Sequence, residues 1–262
     1  MQNVTVTDQM NRQVSVPSTP KRIISLVPSQ TELLFDLGLQ DEVIGITKFC
    51  VYPAVQFKSK TKVGGTKKLD IELIRSLKPD LIIGNKEENA RDQIEELMAE
   101  FSVWMSDIGN LDDALKMISA IGLITGKEAK ANEIGRQIKK GFVDLEIPAG
   151  KRVAYFIWKD PYMVAGADTF INDIIERAGW INAIKQNRYP VLNAEDIKEA
   201  GPDLIFLSSE PYPFKNKHIS EFRNIIPAAQ IIIVDGEMFS WYGSRLLLTP
   251  AYLQTLCSEM GY

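Results

Sequence analysis

Apolar and polar positions follow two different spacings along the chain, and these spacings alternate. Short, almost continuous apolar runs, such as residues 22–28 and 152–158, are typical of strands that are covered on both faces of a parallel sheet. Between these runs, apolar residues recur every three or four positions, which is the spacing of one helix face. Because strands and helices alternate, the pattern predicts a parallel α/β fold.

The predicted elements follow this alternation in both halves of the chain. Strands are predicted at residues 22–28, 41–47, 81–84, 102–108, 152–158, 203–209 and 230–235. Helices are predicted at residues 29–38, 69–77, 91–101, 168–180, 193–201 and 219–225, and at the C-terminus. Ser29, Asp70 and Asn193 are predicted to cap their helices, because short polar side chains accept hydrogen bonds from the free N–H groups there. Residues 1–17 alternate valine with polar residues, which predicts a hairpin.

One segment of this pattern occurs twice. Residues 71–87 (IELIRSLKPDLIIGNKE) align without a gap with residues 194–210 (AEDIKEAGPDLIFLSSE), 123 positions later. Glu72 matches Glu195, and each copy predicts a short helix that leads into a buried strand. Solenoid repeats recur every 20 to 50 residues or so, which is much shorter than this period. The duplication therefore predicts two similar lobes with a cleft between them.

The domain organisation follows from this duplication. We expect an N-terminal α/β lobe over residues 1–110, a helical connecting segment over residues 111–147 and a C-terminal α/β lobe over residues 148–262. Residues 127–146 carry strong helix formers and predict one helix on the order of 30 Å long. Since a single stiff connector resists hinge motion, closure by only a few degrees is expected.

Composition excludes several classes of function. The 262 residues include 30 basic and 34 acidic side chains, and no basic block is present, so a nucleic-acid partner is not expected. No stretch approaches the roughly 20 apolar residues of a membrane span. The N-terminus lacks the apolar core of a signal peptide, so an exported form would have had its signal removed, or the signal is missing from this sequence.

The two cysteines fall in different lobes and are not expected to form a disulfide. Cys257 shares a helical stripe with Leu253, Leu256 and Met260 and is predicted to be core. Cys50 lies in a loop and is predicted to be a half-buried thiol, with a metal- or ligand-facing role as the alternative.

Motifs of catalysis and nucleotide binding are missing. The sequence has no G-x-S-x-G, H-E-x-x-H, G-x-x-x-x-G-K-[ST] or G-x-G-x-x-G motif. Its single histidine, His218, lies in a polar helix start and is predicted to be solvated. Glu87, Glu88 and Glu210 stay candidates for carboxylate catalysis, although such work near neutral pH needs tuning that the sequence does not display. Binding is therefore favoured over catalysis.

Residues that follow the predicted strands are the candidates for ligand binding. Ligands of open parallel sheets bind beyond the carboxyl ends of the strands, and here those segments are rich in aromatic and amide residues. Such residues suit a broad, partly apolar ligand. The candidates are Ser29, Tyr52, Lys67, Asn85, Glu87, Trp158, Tyr189, Glu210, Tyr212, Phe239, Trp241, Tyr242 and Arg245. Trp104 and Trp180 lie within a strand and at a helix end and are predicted to be core.

With these features the chain resembles the helical-backbone (class III) substrate-binding proteins of ABC importers, which include vitamin B12-, ferric siderophore- and haem-binding receptors. The resemblance covers nearly the whole chain. Residues 4–39, 63–84, 112–131 and 194–206 carry it. It implies two Rossmann-like lobes with parallel sheets, joined by a long backbone helix, and a ligand in the cleft between them. It further implies a monomeric, non-enzymatic receptor outside the cytoplasm, which delivers its ligand to a membrane permease.

The resemblance also implies the class of ligand, a small-molecule metal chelate, and no intrinsic cofactor. A corrinoid such as cobalamin and a ferric siderophore are favoured, and haem comes third. Four tyrosines are candidates for haem iron, four basic residues for an anionic siderophore, and two residues for direct metal coordination. These sets are Tyr52, Tyr189, Tyr212 and Tyr242; Lys67, Lys86, Lys159 and Arg245; and Cys50 and Tyr242.

Glu72 and Glu195 are the candidates for permease docking. Each lies in the first turn of its predicted helix, and the family uses two such acidic residues to meet arginines of a two-fold symmetric permease. The alternative from another class is a cytoplasmic α/β enzyme or metallocofactor-handling protein that shares the two-lobed fold.

Overall fold

A computed structural model describes residues 3–261 of the protein, and its internal contacts divide them into two units. Unit 1 contains residues 3–108, 112–139 and 242–247. Unit 2 contains residues 109–111, 140–241 and 248–261. The predicted domain boundaries stay a prediction, and the contacts differ from them in giving residues 112–139 and 242–247 to unit 1. Met1, Gln2 and Tyr262 lie outside the described residues.

Unit 1 is built on a five-stranded sheet that follows an antiparallel hairpin. The hairpin pairs β1 (Asn3–Thr7) with β2 (Gln13–Pro17), which confirms the prediction for its described part. The sheet contains β3 (Ile23–Ser25), β4 (Val43–Ile46), β5 (Thr61–Lys62), β6 (Leu81–Asn85) and β7 (Val103–Ser106). All of its pairs are parallel, in the order β5-β4-β3-β6-β7. The central strands β3 and β6 are buried along their whole length, which explains their apolar sequences.

Helices follow most of these strands. They are α1 (Pro28–Asp36), α2 (Ala54–Ser59), α3 (Ile71–Leu77), α4 (Arg91–Met98), α5 (Leu111–Ile124) and α6 (Glu128–Val143). A 3-10 helix at Ser244–Leu247 also belongs to unit 1. The predicted helix over residues 127–146 is present as α6, and it ends three residues earlier, at Val143.

The start of α1 corrects the prediction that Ser29 caps it. The N-cap residue is Val27, and Pro28 occupies the first turn, where its missing N–H group leaves no unpaired donor. Ser29 lies inside the helix and is buried. The predicted caps of α3 and α8 (Ala194–Ala200) are confirmed. The Asp70 side chain accepts a hydrogen bond from the Leu73 N–H group, and the Asn193 side chain accepts one from the Asp196 N–H group.

Unit 2 is built on a six-stranded mixed sheet. Its strands are β8 (Arg152–Trp158), β9 (Tyr162–Ala165), β10 (Ile181–Asn182), β11 (Val191–Leu192), β12 (Leu204–Ser208) and β13 (Gln230–Val234). The main order is β11-β9-β8-β12-β13, and β10 pairs with β8. The strands β8, β12 and β13 are parallel, whereas β9 runs antiparallel to β8 and to β11. The sequence pattern missed β9, β10 and β11, because strands of two to four residues show too little periodicity.

The helices of unit 2 follow the predicted alternation. Besides α8 they are α7 (Phe170–Arg177), α9 (Asn216–Ile225), α10 (Glu237–Ser240) and α11 (Thr249–Glu259). Buried residues of β8, β12 and α9, among them Phe156, Leu207 and Phe222, form an apolar core on one side of the sheet. The aromatic rings of Phe156 and Phe222 meet edge to face with centroids 4.6 Å apart.

The sequence duplication is a structural duplication as well. In unit 1, the carboxylate of Asp80 accepts the Arg22 N–H group at 2.9 Å, and in unit 2 Asp203 accepts the Arg152 N–H group at 2.8 Å. Each arginine is the residue at or just before the start of a central strand. The duplicated aspartate therefore ties the end of the repeated helix to the strand beside it.

The two arginines also cap the repeated helices. Arg22 Nε donates to the Lys78 carbonyl at 3.1 Å, and Arg152 Nε donates to the Gly201 carbonyl at 3.2 Å. Lys78 and Gly201 are the C-cap residues of α3 and α8, and both are left-handed, with φ of 47° and 53°. A guanidinium at this position satisfies free carbonyl groups and complements the negative helix end.

Burial confirms some predictions for single residues and corrects others. Trp104, Trp180 and Cys257 are buried, as predicted. Cys50 is fully buried, where a half-buried thiol was predicted. His218 is only 2% exposed, so the prediction of a solvated histidine is wrong. The loop position of Cys50 and the polar residues around His218 suggested exposure, but neighbouring side chains cover both residues. No helix in the described part of the chain is long and apolar enough to cross a membrane.

Candidate ligand-binding site

Polar side chains at the carboxyl ends of β6 and β12 form hydrogen bonds with the loops that follow these strands. Asn85, the last residue of β6, accepts hydrogen bonds through Oδ1 from the N–H groups of Glu87 and Glu88, at 2.8 and 3.1 Å. Ser208, the last residue of β12, accepts from the Glu210 N–H group at 3.3 Å. These polar side chains fix the loops that follow the strands. Asn85 is itself buried, so it shapes the turn and does not offer an open surface.

In unit 1, Tyr52 covers a largely buried ion pair. The Arg245 guanidinium donates to the two carboxylate oxygens of Glu32, at 2.9 and 2.6 Å. The centre of the guanidinium lies 4.3 Å from the centroid of the Tyr52 ring, which is cation–π geometry. Burial raises the pKa of Glu32, against the opposing effect of Arg245. Tyr52 is 40% exposed, so its aromatic ring is accessible while it packs against the Arg245–Glu32 ion pair.

In unit 2, Trp158 and Tyr212 form an accessible aromatic pair. Trp158 ends β8 and is 41% exposed, and Tyr212 lies in the loop after β12. Their rings meet edge to face with centroids 5.6 Å apart. On its inner side, Tyr212 packs against Phe214 and His218, at 4.8 and 5.6 Å. The pair is held on a buried aromatic base and presents an apolar surface at the carboxyl end of the sheet.

A charged cluster holds α9 beside this pair. Lys159 Nζ and the Tyr162 hydroxyl each donate to Glu221 at 2.7 Å. Burial alone would raise the pKa of Glu221, but the hydrogen bonds from Lys159 and Tyr162 outweigh it and lower that pKa. Lys159 was a candidate for binding an anionic siderophore, and here its ammonium group is engaged by Glu221. The sequence did not reveal this cluster, because its residues are 59 to 62 positions apart.

Glu210 connects the loop after β12 to the segment around α10. Its Oε1 atom accepts from the Ser240 hydroxyl at 2.9 Å and from Trp241 Nε1 at 3.0 Å. Trp241 is buried, so the indole serves mainly to hold Glu210. Phe239 is fully buried and packs on Tyr155 with ring centroids 5.0 Å apart. Phe239 was predicted to face the ligand, but it lies in the core among other aromatic residues.

The other ligand-binding candidates differ in accessibility. Ser29 and Tyr242 are buried. Lys67 is exposed, and its Nζ donates to the Glu87 carbonyl oxygen. Tyr189 is partly buried, with the Arg188 guanidinium 5.8 Å from its ring centroid. The role of these residues in ligand binding stays a prediction.

Unit 1 also contains an open cavity of about 860 Å³. Its lining includes Phe49, the basic residues Lys48, Lys67 and Lys68, and the acidic residues Asp70 and Glu72. Basic residues outnumber acidic residues by three to two in this lining, which suits an anionic group on a ligand.

No group of three or more metal-binding side chains from His, Cys, Asp and Glu occurs among residues 3–261. Cys50 Sγ lies 3.1 Å from the hydroxyl oxygens of both Thr31 and Thr47. Burial raises the pKa of the Cys50 thiol, partly offset by these two threonines. A neutral, buried thiol is a poor metal ligand, since metals bind the thiolate. Cys50 therefore fits a core residue better than a metal ligand.

Glu72 and Glu195 are highly exposed, with side chains 83% and 76% accessible. Each forms an ion pair with a basic residue three positions later: Glu72 with Arg75 at 2.5 Å and Glu195 with Lys198 at 2.8 Å. Arg75 and Lys198 are themselves a matched pair of the duplication. The repeated unit thus includes an acidic residue and its own counter-ion on an exposed helix face.

Comparison with known proteins identifies the class to which this fold belongs. A family model described as "Periplasmic binding protein" matches residues 23–228. The chain belongs to the periplasmic binding protein family. Proteins of this family bind substrates for transport and are not enzymes, which confirms the prediction that binding outranks catalysis.

Individual relatives agree with this assignment. The chain is 32% identical over 215 residues to an uncharacterised ABC transporter substrate-binding lipoprotein, YvrC, of Bacillus subtilis strain 168, covering 77% of this chain and 68% of the relative. It is 26% identical over 253 residues to the vitamin B12-binding protein of Pectobacterium carotovorum subsp. carotovorum strain PC1, covering 92% and 88%. These relatives support the predicted importer component and give no support to a cytoplasmic enzyme or metallocofactor-handling protein.

A solved structure supports the fold. The apo form of the periplasmic heme-binding protein RhuT from Roseiflexus sp. RS-1 matches with a TM-score of 0.78 and 23% identity, covering 91% of this chain and 97% of that structure. The predicted fold class, α/β with two lobes and parallel sheets, is confirmed, with β9 as the strand that runs antiparallel to its neighbours β8 and β11.

Proposed function

We propose that this protein is the extracytoplasmic substrate-binding component of an ABC importer and that its ligand is a metal-containing chelate, a corrinoid or a ferric siderophore. The observation that carries the proposal is the accessible Trp158–Tyr212 pair at the carboxyl end of the unit 2 sheet, in a chain of the periplasmic binding protein family. Aromatic faces bind a broad, flat ligand with large contact area and little loss of side-chain freedom.

A corrinoid is the first candidate. Relatives that align with most of this chain include the vitamin B12-binding protein of Pectobacterium carotovorum. Corrinoid binding requires mainly aromatic walls, and in unit 2 Trp158 and Tyr212 offer accessible rings. Haem stays third, because the one histidine of the sequence, His218, is buried and so is not placed to reach a haem iron.

A ferric siderophore is the second candidate, and the cavity of unit 1 favours it. Lys48, Lys67 and Lys68 line this cavity and would attract the negative charge of many ferric chelates. This attraction would weaken as the ionic strength rises. The salt dependence of affinity therefore helps to separate a charged siderophore from a neutral corrinoid.

Direct titration tests the proposal. Purified protein is titrated separately with cyanocobalamin, ferrichrome, ferric enterobactin and hemin, and binding is followed by calorimetry and tryptophan fluorescence. We expect saturable 1:1 binding of one chelate, with the protein a monomer in gel filtration before and after binding. Flat titrations with all four chelates would contradict the proposed ligand class.

We further propose that Glu72 and Glu195 dock onto the permease. Two observations support this proposal: the two glutamates occupy matching positions of the duplicated segment, and both side chains are highly exposed. Both carboxylates are therefore accessible to arginines of a partner. Exposed ion pairs contribute little free energy each, so an incoming arginine can replace Arg75 or Lys198 as the partner. Arg75 also forms ion pairs with Glu96 and Glu100, so the charge of Arg75 stays neutralised when Glu72 pairs with the permease instead.

The docking proposal is tested with charge reversal. In proteoliposomes that contain the cognate ABC importer, the double variant Glu72→Arg/Glu195→Arg should bind a chelate held by the Trp158–Tyr212 pair normally and fail to stimulate ATP hydrolysis. The matched control is Glu133→Arg on α6, since Glu133 forms an exposed pair with Arg136, also three positions later. Full stimulation by the double variant would show that these residues do not dock.

A further inference from the structure

The hydrogen bonds of the buried His218 determine which of its two ring nitrogens carries the hydrogen. The backbone N–H group of Lys215 donates to His218 Nδ1 at 2.8 Å. A backbone N–H group can only donate, so Nδ1 carries no hydrogen. In a neutral imidazole the hydrogen must then be on Nε2. Protonation of the ring would place a hydrogen on Nδ1 and break the bond to Lys215.

This tautomer determines the direction of the next hydrogen bond. His218 Nε2 lies 3.4 Å from the Tyr212 hydroxyl oxygen, a pair in which either atom could donate on distance alone. Because Nε2 carries the hydrogen, the histidine donates and Tyr212 accepts. The hydroxyl hydrogen of Tyr212 is therefore not used in this bond and points away from His218.

The surroundings hold this arrangement in place. Phe214 packs edge to face on the His218 ring at 5.4 Å, which restricts its rotation. One turn further along α9, Glu221 accepts hydrogen bonds from Lys159 and Tyr162 and ties the helix to the β8–β9 hairpin. The positive charges of Lys159 and Lys217 oppose protonation of His218, whereas Glu221 favours it.

We propose that His218 is a positioning residue that sets Tyr212 as a hydrogen-bond donor to the ligand. This inference rests on the proposed function, in which Tyr212 and Trp158 contact a chelate. The group that Tyr212 recognises is then a hydrogen-bond-accepting oxygen, such as an amide carbonyl or a carboxylate, next to an apolar surface that covers Trp158. Tyr212 serves as a neutral phenol in this role and does not ligate the metal.

A matched pair of substitutions at one position tests the direction of the bond. Gln and Glu both accept from the N-cap N–H group in a capping box, so His218→Gln and His218→Glu should both keep the start of α9. The Gln amide can still donate to Tyr212. The Glu carboxylate can only accept, so it would draw the Tyr212 hydrogen inward and reverse the bond.

We expect the chelate that binds the wild-type protein to bind His218→Gln within about twofold. His218→Glu and Tyr212→Phe should each weaken binding by about three- to tenfold, the usual effect of one hydrogen bond. Equal affinity of His218→Glu and wild type would overturn the proposal. So would a phenolate-to-iron charge-transfer band on binding of hemin that Tyr212→Phe abolishes, because Tyr212 would then be a metal ligand.

A spectroscopic measurement on the wild-type protein separates this inference from the proposed function. Nitrogen-15 NMR of the single histidine should show an unprotonated Nδ1 and a protonated Nε2. The opposite tautomer would overturn the positioning role even if a chelate binds. If the tautomer is as expected and no chelate binds wild type, the proposed function fails and the ligand contact of Tyr212 fails with it.

Discussion

Arg245 donates two hydrogen bonds to Glu32, although the two residues are 213 positions apart. The pair attaches the Tyr242–Leu247 segment to α1 within unit 1. Next to it, the Ser244 hydroxyl donates to Asp36. Gly243 lies so close to the Ser29 carbonyl that an added Cβ would be 2.2 Å from its oxygen. The return of this segment to unit 1 thus depends on specific polar contacts and close packing.

Removal of one member of this pair should destabilise the protein more than removal of both. Arg245→Met leaves the Glu32 carboxylate buried without its partner, and we expect the free energy of unfolding to fall by about 2–4 kcal/mol. The double variant Glu32→Leu/Arg245→Met leaves no uncompensated charge and should lose less. Urea denaturation measures both, and a double variant less stable than Arg245→Met would contradict this account.

The duplicated C-caps of α3 and α8 give an internally controlled prediction. Lys78 has a left-handed backbone that glycine adopts without steric cost, so Lys78→Gly should raise the free energy of unfolding by about 0.5–1 kcal/mol. At the matching position, Gly201→Ala should lower it by about 1 kcal/mol. A Cβ there meets no atom closer than 3.9 Å, so the effect is conformational. Thermal or urea unfolding should give shifts of opposite sign at the two positions.

His218 predicts a specific loss of stability on acidification. Burial, together with Lys159 and Lys217, lowers the pKa of His218 from its ordinary value of 6.5. The unfolded chain therefore binds a proton at a higher pH than the folded protein does. Stability from this residue is complete above pH 6.5 and falls as the pH drops towards the folded pKa, with a slope of at most about 1.4 kcal/mol per pH unit. His218→Gln should lack this component, and an equal slope in both proteins would contradict the assignment.

Trp158 should report ligand binding, whereas the buried tryptophans should not. Trp158→Ala is expected to weaken chelate binding by at least about 1 kcal/mol, or roughly fivefold, because it removes an exposed aromatic surface. Trp158→Phe should abolish most of the fluorescence change on binding. The control is Trp180→Phe, since Trp180 packs on Phe206 in the interior of unit 2. A fluorescence change that survives in Trp158→Phe would assign the signal to another tryptophan.

Both cysteines should be unreactive in the folded protein. Cys50 and Cys257 are buried and unpaired, and burial raises the pKa of each thiol. We expect no rapid reaction with Ellman's reagent at pH 8 and reaction of both thiols after unfolding in guanidinium. Rapid release of one equivalent from native protein would show that a cysteine is accessible, and Cys50→Ser would identify which one.

Interactions within a few residues were predictable from the sequence. Asp70 and Asn193 cap their helices because each capping side chain and the N–H groups that donate to it are two or three positions apart, and the buried strands β6 and β12 follow from continuous apolar runs. The duplication predicted two units for the same reason, because each copy is a helix and a strand that are adjacent in the sequence. The aromatic character of the loops after the strands was equally a property of the sequence.

Only the tertiary structure decided which of these loop residues are accessible. Trp158 ends β8 and is 41% exposed, whereas Trp241 comes directly after α10, is 6% exposed and donates a hydrogen bond to Glu210, 31 positions away. Phe239 is buried against Tyr155 of β8 and Phe206 of β12, and His218 is covered by Tyr212 and Phe214 of the preceding loop. Burial depends on which distant segments pack together, and the spacing of residues along one segment does not contain that information.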